Sequence, residues 1–227
     1  MAGGMAISGT KVRRRMQPAR LPLQGRMGSA WHKRFHILKV NMRLSGLLGL
    51  IYLVSEVLLT ITRRGRSKTG EKQDRSTLRV LWIVIAVSVT AGVFVAGNWR
   101  AGALSEGRMF EVVGAALFAA GLIFRWWAII TLGRFFTVDV TIEKDHELVE
   151  RGPFRFVRHP SYTGVLLAFV GWALTLRNWG AILVILVPIF VAFLRRMNVE
   201  EEALSRALGE KYGVYMRRTK RLVPGVY

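Results

Sequence analysis

Downstream of residue 43 the chain alternates long apolar runs with short, mostly basic polar stretches. Residues 44–61, 80–97 and 110–132 each reach about 27–35 Å at about 1.5 Å per helical residue, enough to cross a hydrocarbon core. Two shorter apolar segments follow, predicted as helices over about 163–176 and 179–194 and separated at Arg177-Asn178-Trp179-Gly180. Pro188 is expected to kink the second of them. From Arg195 the spacing changes to an amphipathic helix that ends near Thr219. The fold class this predicts is an all-α integral membrane protein with about five transmembrane helices, the last two a helical hairpin, plus a cytoplasmic C-terminal helix.

Residues 133–162 form the sizeable non-helical stretch. Residues 135–142 alternate and are β-branched, which predicts a short extended segment. Glu150-Arg151-Gly152-Pro153 reads as a turn. His159-Pro160 predicts an extended histidine, with Pro160 or Ser161 in the first turn of the next helix.

Composition supports the membrane reading: 52% of residues are hydrophobic and mean hydropathy is +0.30. The net charge of +20 raises nucleic acid as a partner, but no nucleic-acid motif accompanies it. The basic residues instead flank the apolar runs, as cytoplasmic loops do. The basic 63–79 loop is therefore assigned to the cytoplasm and the nearly neutral 98–109 loop to the outside. The hairpin then returns the C-terminus to the cytoplasmic side of a plasma or inner membrane.

That topology leaves the basic segment 1–43, which contains no acidic residue, on the outer side. A native start at Met42 removes the conflict. Segment 1–43 is expected to be disordered. It is not a signal peptide, because no apolar core follows the basic start. The chain divides into this tail, a 44–109 pair of N-terminal helices with their loops, and a 110–227 catalytic region.

Without cysteine there is no thiol nucleophile or cysteine metal ligand. His32 and His36 stand at i, i+4 in basic surroundings with no nearby acid, and no metal site is expected. Rossmann, Walker and GxSxG signatures are absent. Glu56 and Arg125 fall inside apolar helices, where a lone charge costs several kcal/mol, and are expected to pair, either stapling two helices or lining a cleft.

The densest chemistry lies in Arg158-His159-Pro160-Ser161-Tyr162-Thr163-Gly164, followed after the apolar hairpin by Glu200-Glu201. This combination resembles the shared motif of the isoprenylcysteine carboxyl methyltransferase family, membrane enzymes related to phospholipid N-methyltransferases. Leu132-Gly133-Arg134-Phe135-Phe136, His146-Glu147-Leu148-Val149, Gly209-Glu210-Lys211-Tyr212 and Arg221-Leu222-Val223-Pro224 extend the resemblance over about 110–227. It implies S-adenosylmethionine as cofactor, bound at the cytoplasmic membrane face.

On that reading Glu200 or Glu201 meets the cofactor's ammonium or ribose, and Arg158 its carboxylate. His159 and Tyr162 bond to or stack on the adenosine, and Gly164 permits close approach. Pro160 and Tyr212 complete the cofactor set. Arg196, Glu201 and Arg221 are the catalytic candidates, an arginine (Arg196, Arg195 or Arg221) orienting an anionic acceptor. An ionised carboxylate acceptor needs no general base, so proximity and desolvation carry the reaction. The acceptor is a lipophilic or lipidated molecule entering from the bilayer, with membrane lipids as further partners. Methylation of a phospholipid amine or small thiol, and a non-catalytic or transport role, are the alternatives.

Overall fold

The computed structural model describes residues 43–62, 71–104, 108–136, 140–142 and 148–225. Segment 1–42, with His32, His36 and the expected start at Met42, lies outside the described residues, as do 63–70, Glu106 and His146.

The elements in order are α1 (Arg43–Thr62), β1 (Glu71–Asp74), α2 (Arg75–Asn98), α3 (Met109–Leu132), β2 (Val140–Ile142), α4 (Pro160–Thr175), α5 (Trp179–Leu208) and α6 (Glu210–Arg218). Helices α1, α2, α3 and α5 are long and apolar enough to cross a membrane, and α4 is a shorter apolar helix. Many large apolar side chains point outward, among them Leu50, Val87, Ile123 and Val187. A lipid-facing surface does this; water would penalise it. The interior is built from Phe118, Val165, Ile185, Ile189 and Phe193.

Small residues let α3 and α4 pack backbone to backbone. A Cβ at Gly121 would stand 2.5 Å from Ala168 N, and one at Gly164 would stand 2.6 Å from Arg125 N. Close small-residue seams of this kind let van der Waals contact hold membrane helices together. Helix α1 is tied on by polar contacts: Trp126 Nε1 donates to Ser55 Oγ at 2.9 Å, and Trp172 Nε1 to the Ser45 carbonyl at 2.7 Å.

The two ends of the bundle differ. At one, the α2–α3 loop meets the α4–α5 turn, where Leu104 N donates to Arg177 O at 2.8 Å and Asn178 Nδ2 to Trp99 O at 2.8 Å. Asn178 also caps α5, its Oδ1 accepting from Ala181 N at 3.0 Å. At the other end lie the antiparallel β1–β2 pair, with Glu71 opposite Ile142, residues 148–159, and the C-terminal segment.

Three boundaries differ from expectation, the first being α2, which starts at Arg75 and not at 80. Helix α4 starts at Pro160, which stands in its first turn as expected, because proline at the first helical position lacks only an N–H that would be unpaired anyway. Helix α5 runs without a break through Pro188 and past Arg195 to Leu208. The expected division at Arg195 fails because a change from apolar to polar surface does not interrupt backbone bonding; the chain breaks at Gly209, whose φ of 55° favours glycine. The extended segment does not begin at Phe135: Gly133–Phe135 is a 3-10 turn, Phe136 is extended and β2 is Val140–Ile142.

Candidate active site

A 30-residue α5 is about 45 Å long, well beyond a hydrocarbon core of about 30 Å. Its apolar run ends before Arg195, and the last third carries Glu200 and Glu201. Residues 148–159 and the C-terminal segment close over this projecting part. Val157 bridges Lys220 in parallel register. Arg158 N donates to Lys220 O at 2.8 Å and His159 N to Arg221 O at 3.0 Å. Thr163 Oγ1 donates to Leu222 O at 2.8 Å, and Tyr215 Oη to Phe154 O at 2.6 Å.

Glu201 is the hub of the cluster. Its Oε1 accepts from Arg158 Nε at 2.9 Å and His159 Nε2 at 3.1 Å. Its Oε2 accepts from Arg221 Nε at 3.1 Å and Nη2 at 2.6 Å. An ionised carboxylate only accepts, so His159 Nε2 carries the proton. Burial pushes the Glu201 pKa up, but the bonds from His159, Arg158 and Arg221 outweigh it and bring the group down to about 2. Tyr212 lies fully buried beside this cluster; burial, then the nearby Glu201 and Glu200 charges, raises its pKa.

Tyr162 links this cluster to a second space. Its hydroxyl donates to Glu200 Oε2 at 2.6 Å and accepts from Arg196 Nε at 2.9 Å. Tyr162 and Arg196 also line a cleft among α1 to α5 with roughly 560 Å³ of empty space, part of it open to the surroundings. Leu59, Leu81, Ile85 and Phe193 supply apolar walls, and Tyr52, Glu56, Arg125 and Ser161 further polar groups. The expected Glu56–Arg125 pair is present at 2.9 Å.

The structure thus brings Arg158, His159, Glu200, Glu201, Arg221 and Tyr162 together, and several of them also have partners within the protein. Besides Glu201, Arg158 binds the Met216 carbonyl at 3.1 Å and the Thr219 carbonyl, closing the C-terminal end of α6. His159 and Tyr162 stack on each other, ring centroids 5.4 Å apart and planes at 11°. Gly164 packs against the α3 backbone, a Cβ there standing 2.6 Å from Arg125 N. Pro160 and Tyr212 are buried as packing elements.

Of the three candidate arginines, Arg195 is exposed and Arg221 holds Glu201, whereas Arg196 is buried on the cleft. Sequence reasoning gave Tyr52 no role and read Ser161 only as part of the motif and the helix start. Tyr52 stands four residues before Glu56, a same-face spacing that could have marked it.

The cluster's chemistry suits an amino-acid-bearing cofactor. Its buried groups are mutually satisfied, while Glu200 and Arg221 keep 30% and 25% side-chain exposure. A carboxylate and a guanidinium at one rim match an ammonium and a carboxylate on one ligand. No group of three or more His, Cys, Asp or Glu that could hold a metal occurs among the described residues.

Residues 109–211 match the family model described as phospholipid methyltransferase. Protein-S-isoprenylcysteine O-methyltransferase B of Arabidopsis thaliana is 30% identical over 183 residues, covering 78% of this chain and 89% of that protein. Its A counterpart is 31% identical over 183 residues, covering 79% and 91%. Among solved structures, the fold is similar to that of the eukaryotic intramembrane Ras methyltransferase, isoprenylcysteine carboxyl methyltransferase. The TM-score there is 0.62 at 22% identity, over 82% of this chain and 68% of that one.

Proposed function

The chain belongs to the isoprenylcysteine carboxyl methyltransferase family, and from there we propose that it methylates the carboxylate of an isoprenylcysteine-like or other lipophilic acid, using S-adenosylmethionine. The observation that carries this reading is Arg196: a buried guanidinium, held by Tyr162, on an otherwise largely apolar cleft next to the Glu200–Glu201 cluster. An arginine there suits an anionic acceptor better than an amine.

The bound cofactor supplies a methyl group on a sulfonium, which an ionised carboxylate can take without giving up a proton. Glu200 and Arg221 are positioned to hold its ammonium and carboxylate, and Glu201 with His159 keeps that rim in shape. Arg196 orients the acceptor carboxylate, and Tyr162 fixes the guanidinium's angle. The apolar walls exclude water, which strengthens these charge interactions and brings the reacting atoms together. The acceptor reaches the cleft laterally from the bilayer.

All five apolar helices are read as crossing or entering the membrane. The Glu200–Glu201 end, α6 and the C-terminus lie in the cytoplasm, following the basic 63–79 loop. Residues 110–227 form the catalytic region, and 44–109 supply the remaining cleft walls.

The test is methyl transfer from labelled S-adenosylmethionine to N-acetyl-S-farnesylcysteine by detergent-purified protein. Turnover by wild type, with kcat/KM reduced about 100-fold or more in Arg196→Lys, supports the reading; lysine keeps the charge but loses the fork that meets carboxylate and hydroxyl together. Folded wild type that binds the cofactor and leaves the carboxylate unmethylated would rule it out.

A further inference from the structure

Ser161 lines the cleft together with Arg125 and Arg196. Its Oγ accepts from Arg125 Nη1 at 3.2 Å. Arg125 is held in turn by Glu56 at 2.9 Å, the two side chains 9% and 12% exposed. The guanidinium therefore fixes the side on which the hydroxyl accepts. A serine hydroxyl also has one proton to donate, and among the described residues no group takes it. Thr163 and Thr175 differ in this respect, their hydroxyls donating to Leu222 O and Trp172 O.

The surroundings strengthen that free donor. A hydroxyl that accepts from a cation is polarised and donates better. Leu81, Ile85, Val165 and Phe193 around it are apolar, so a ligand oxygen is a better partner for the proton than scarce water. Ser161 also directly precedes Tyr162, whose hydroxyl receives Arg196 Nε at 2.9 Å. The first turn of α4 thus brings to one space both the residue that orients Arg196 and a donor of its own.

We propose that Ser161 is a second anchor for the acceptor carboxylate, its hydroxyl donating to one carboxylate oxygen, with Arg125 and Glu56 as the positioning pair behind it. This rests on the carboxyl-methylation reading above and gives the Glu56–Arg125 pair a task besides joining α1 to α3.

The chemistry of the reaction decides where the effect appears. The acceptor enters as an anion and leaves as a neutral ester. A hydrogen bond to its carboxylate is therefore strongest before methyl transfer and weakens as the charge is lost. Such a bond tightens binding without speeding the chemical step. Removing it raises KM and spares kcat, whereas a serine that only held the helices would disturb both.

The experiment compares purified wild type, Ser161→Ala and Ser161→Thr, using N-acetyl-S-farnesylcysteine and its methyl ester, an acid and a neutral ligand with one tail. Binding is followed by tryptophan fluorescence, since Trp82 lines the cleft, and methylation of the acid by steady-state kinetics. Ser161→Ala should raise Kd and KM for the acid about tenfold, the usual size for a hydrogen bond to a charged group. Its kcat and its affinity for the ester should stay within about twofold of wild type. Ser161→Thr, which keeps the hydroxyl, should recover acid binding. Should Ser161→Ala fail to fold, Ser161→Cys carries the test: a thiol is a weak donor, and affinity for the acid must still fall relative to the ester.

Unchanged acid affinity in Ser161→Ala overturns the proposal, as does equal weakening of acid and ester, or a loss that Ser161→Thr does not recover. A fall in kcat at constant KM overturns it too. Wild type that leaves the acid unmethylated overturns instead the function on which it rests.

Discussion

Arg196 Nε donates to the hydroxyl of Tyr162 across 2.9 Å, and through this contact the cleft and the glutamate cluster share one hydroxyl. The same oxygen donates to Glu200 Oε2 at 2.6 Å. A phenol that accepts from a cation and donates to an anion is fixed in direction at both ends. Removing it takes away one of the contacts that fix the guanidinium's angle.

Tyr162→Phe should therefore keep the fold, because the ring still packs on His159 and Phe193. Its kcat/KM for the lipophilic acid should fall about 10- to 100-fold, in line with the roughly 1.5–3 kcal/mol of a hydrogen bond to a charged group. Steady-state kinetics on the carboxylate probe measure this. Wild-type efficiency in the variant would mean that Arg196 is oriented by something else.

Glu201 gives a stability prediction with a defined sign. Its folded pKa of about 2 lies below the ordinary 4.5, because the bonds from His159, Arg158 and Arg221 outweigh burial. A lowered folded value means that the ionised group stabilises the fold above the unfolded pKa, and that this is lost as pH falls through the folded one. The Tm difference between wild type and Glu201→Gln should hold steady above about pH 5 and shrink from about pH 4.5 toward about pH 2. Thermal unfolding in detergent across that range decides it. A constant difference at every pH would show that the charge of Glu201 contributes nothing.

What could be read from the chain and what could not follow from the range of each interaction. The apolar runs announce their helices because burial in lipid is a property of each segment alone. The Glu56–Arg125 pair was readable because two opposite charges inside apolar helices have few other solutions. The tasks of Arg158 and Gly164 were hidden. Arg158 bonds to the Met216 carbonyl of α6 and to the Thr219 carbonyl just past it, some sixty residues away, and Gly164 matters through the α3 backbone it touches. Motif resemblance named residues that the fold does bring together, but it says nothing of the bonds they make within the protein. Helix continuity past Arg195 was also missed, since polarity changes at an interface while the backbone hydrogen bonds continue.

Asn178 offers a test of the opposite end of the bundle. One side chain caps α5 through Ala181 N at 3.0 Å and ties down the α2–α3 loop through Trp99 O at 2.8 Å. Asn178→Ala removes both bonds and should cost about 1–2 kcal/mol, the usual range for losing an N-cap. It lies far from the Arg196 cleft, so Tm should drop while KM for the lipophilic acid stays at the wild-type value. A raised KM would mean that the two ends are mechanically coupled.

The α3–α4 seam gives the last prediction. A methyl group at position 164 would stand 2.6 Å from Arg125 N and 2.7 Å from Gly121 O, both backbone atoms that no side-chain rotation can move. The helices must separate to admit it, and overpacking of this kind costs about 1–3 kcal/mol. Separation also shifts Arg125, which reaches Glu56 and Ser161 from the same stretch of α3. Gly164→Ala should therefore lower Tm and weaken binding of the lipophilic acid together. Gly46→Ala is the control, since a Cβ there meets nothing within 4 Å, and alanine is about 1 kcal/mol better than glycine inside a helix. Thermal unfolding and acid binding measured on both variants test the seam. Equal stability of the two proteins would show that α3 and α4 are not held at the separation seen here.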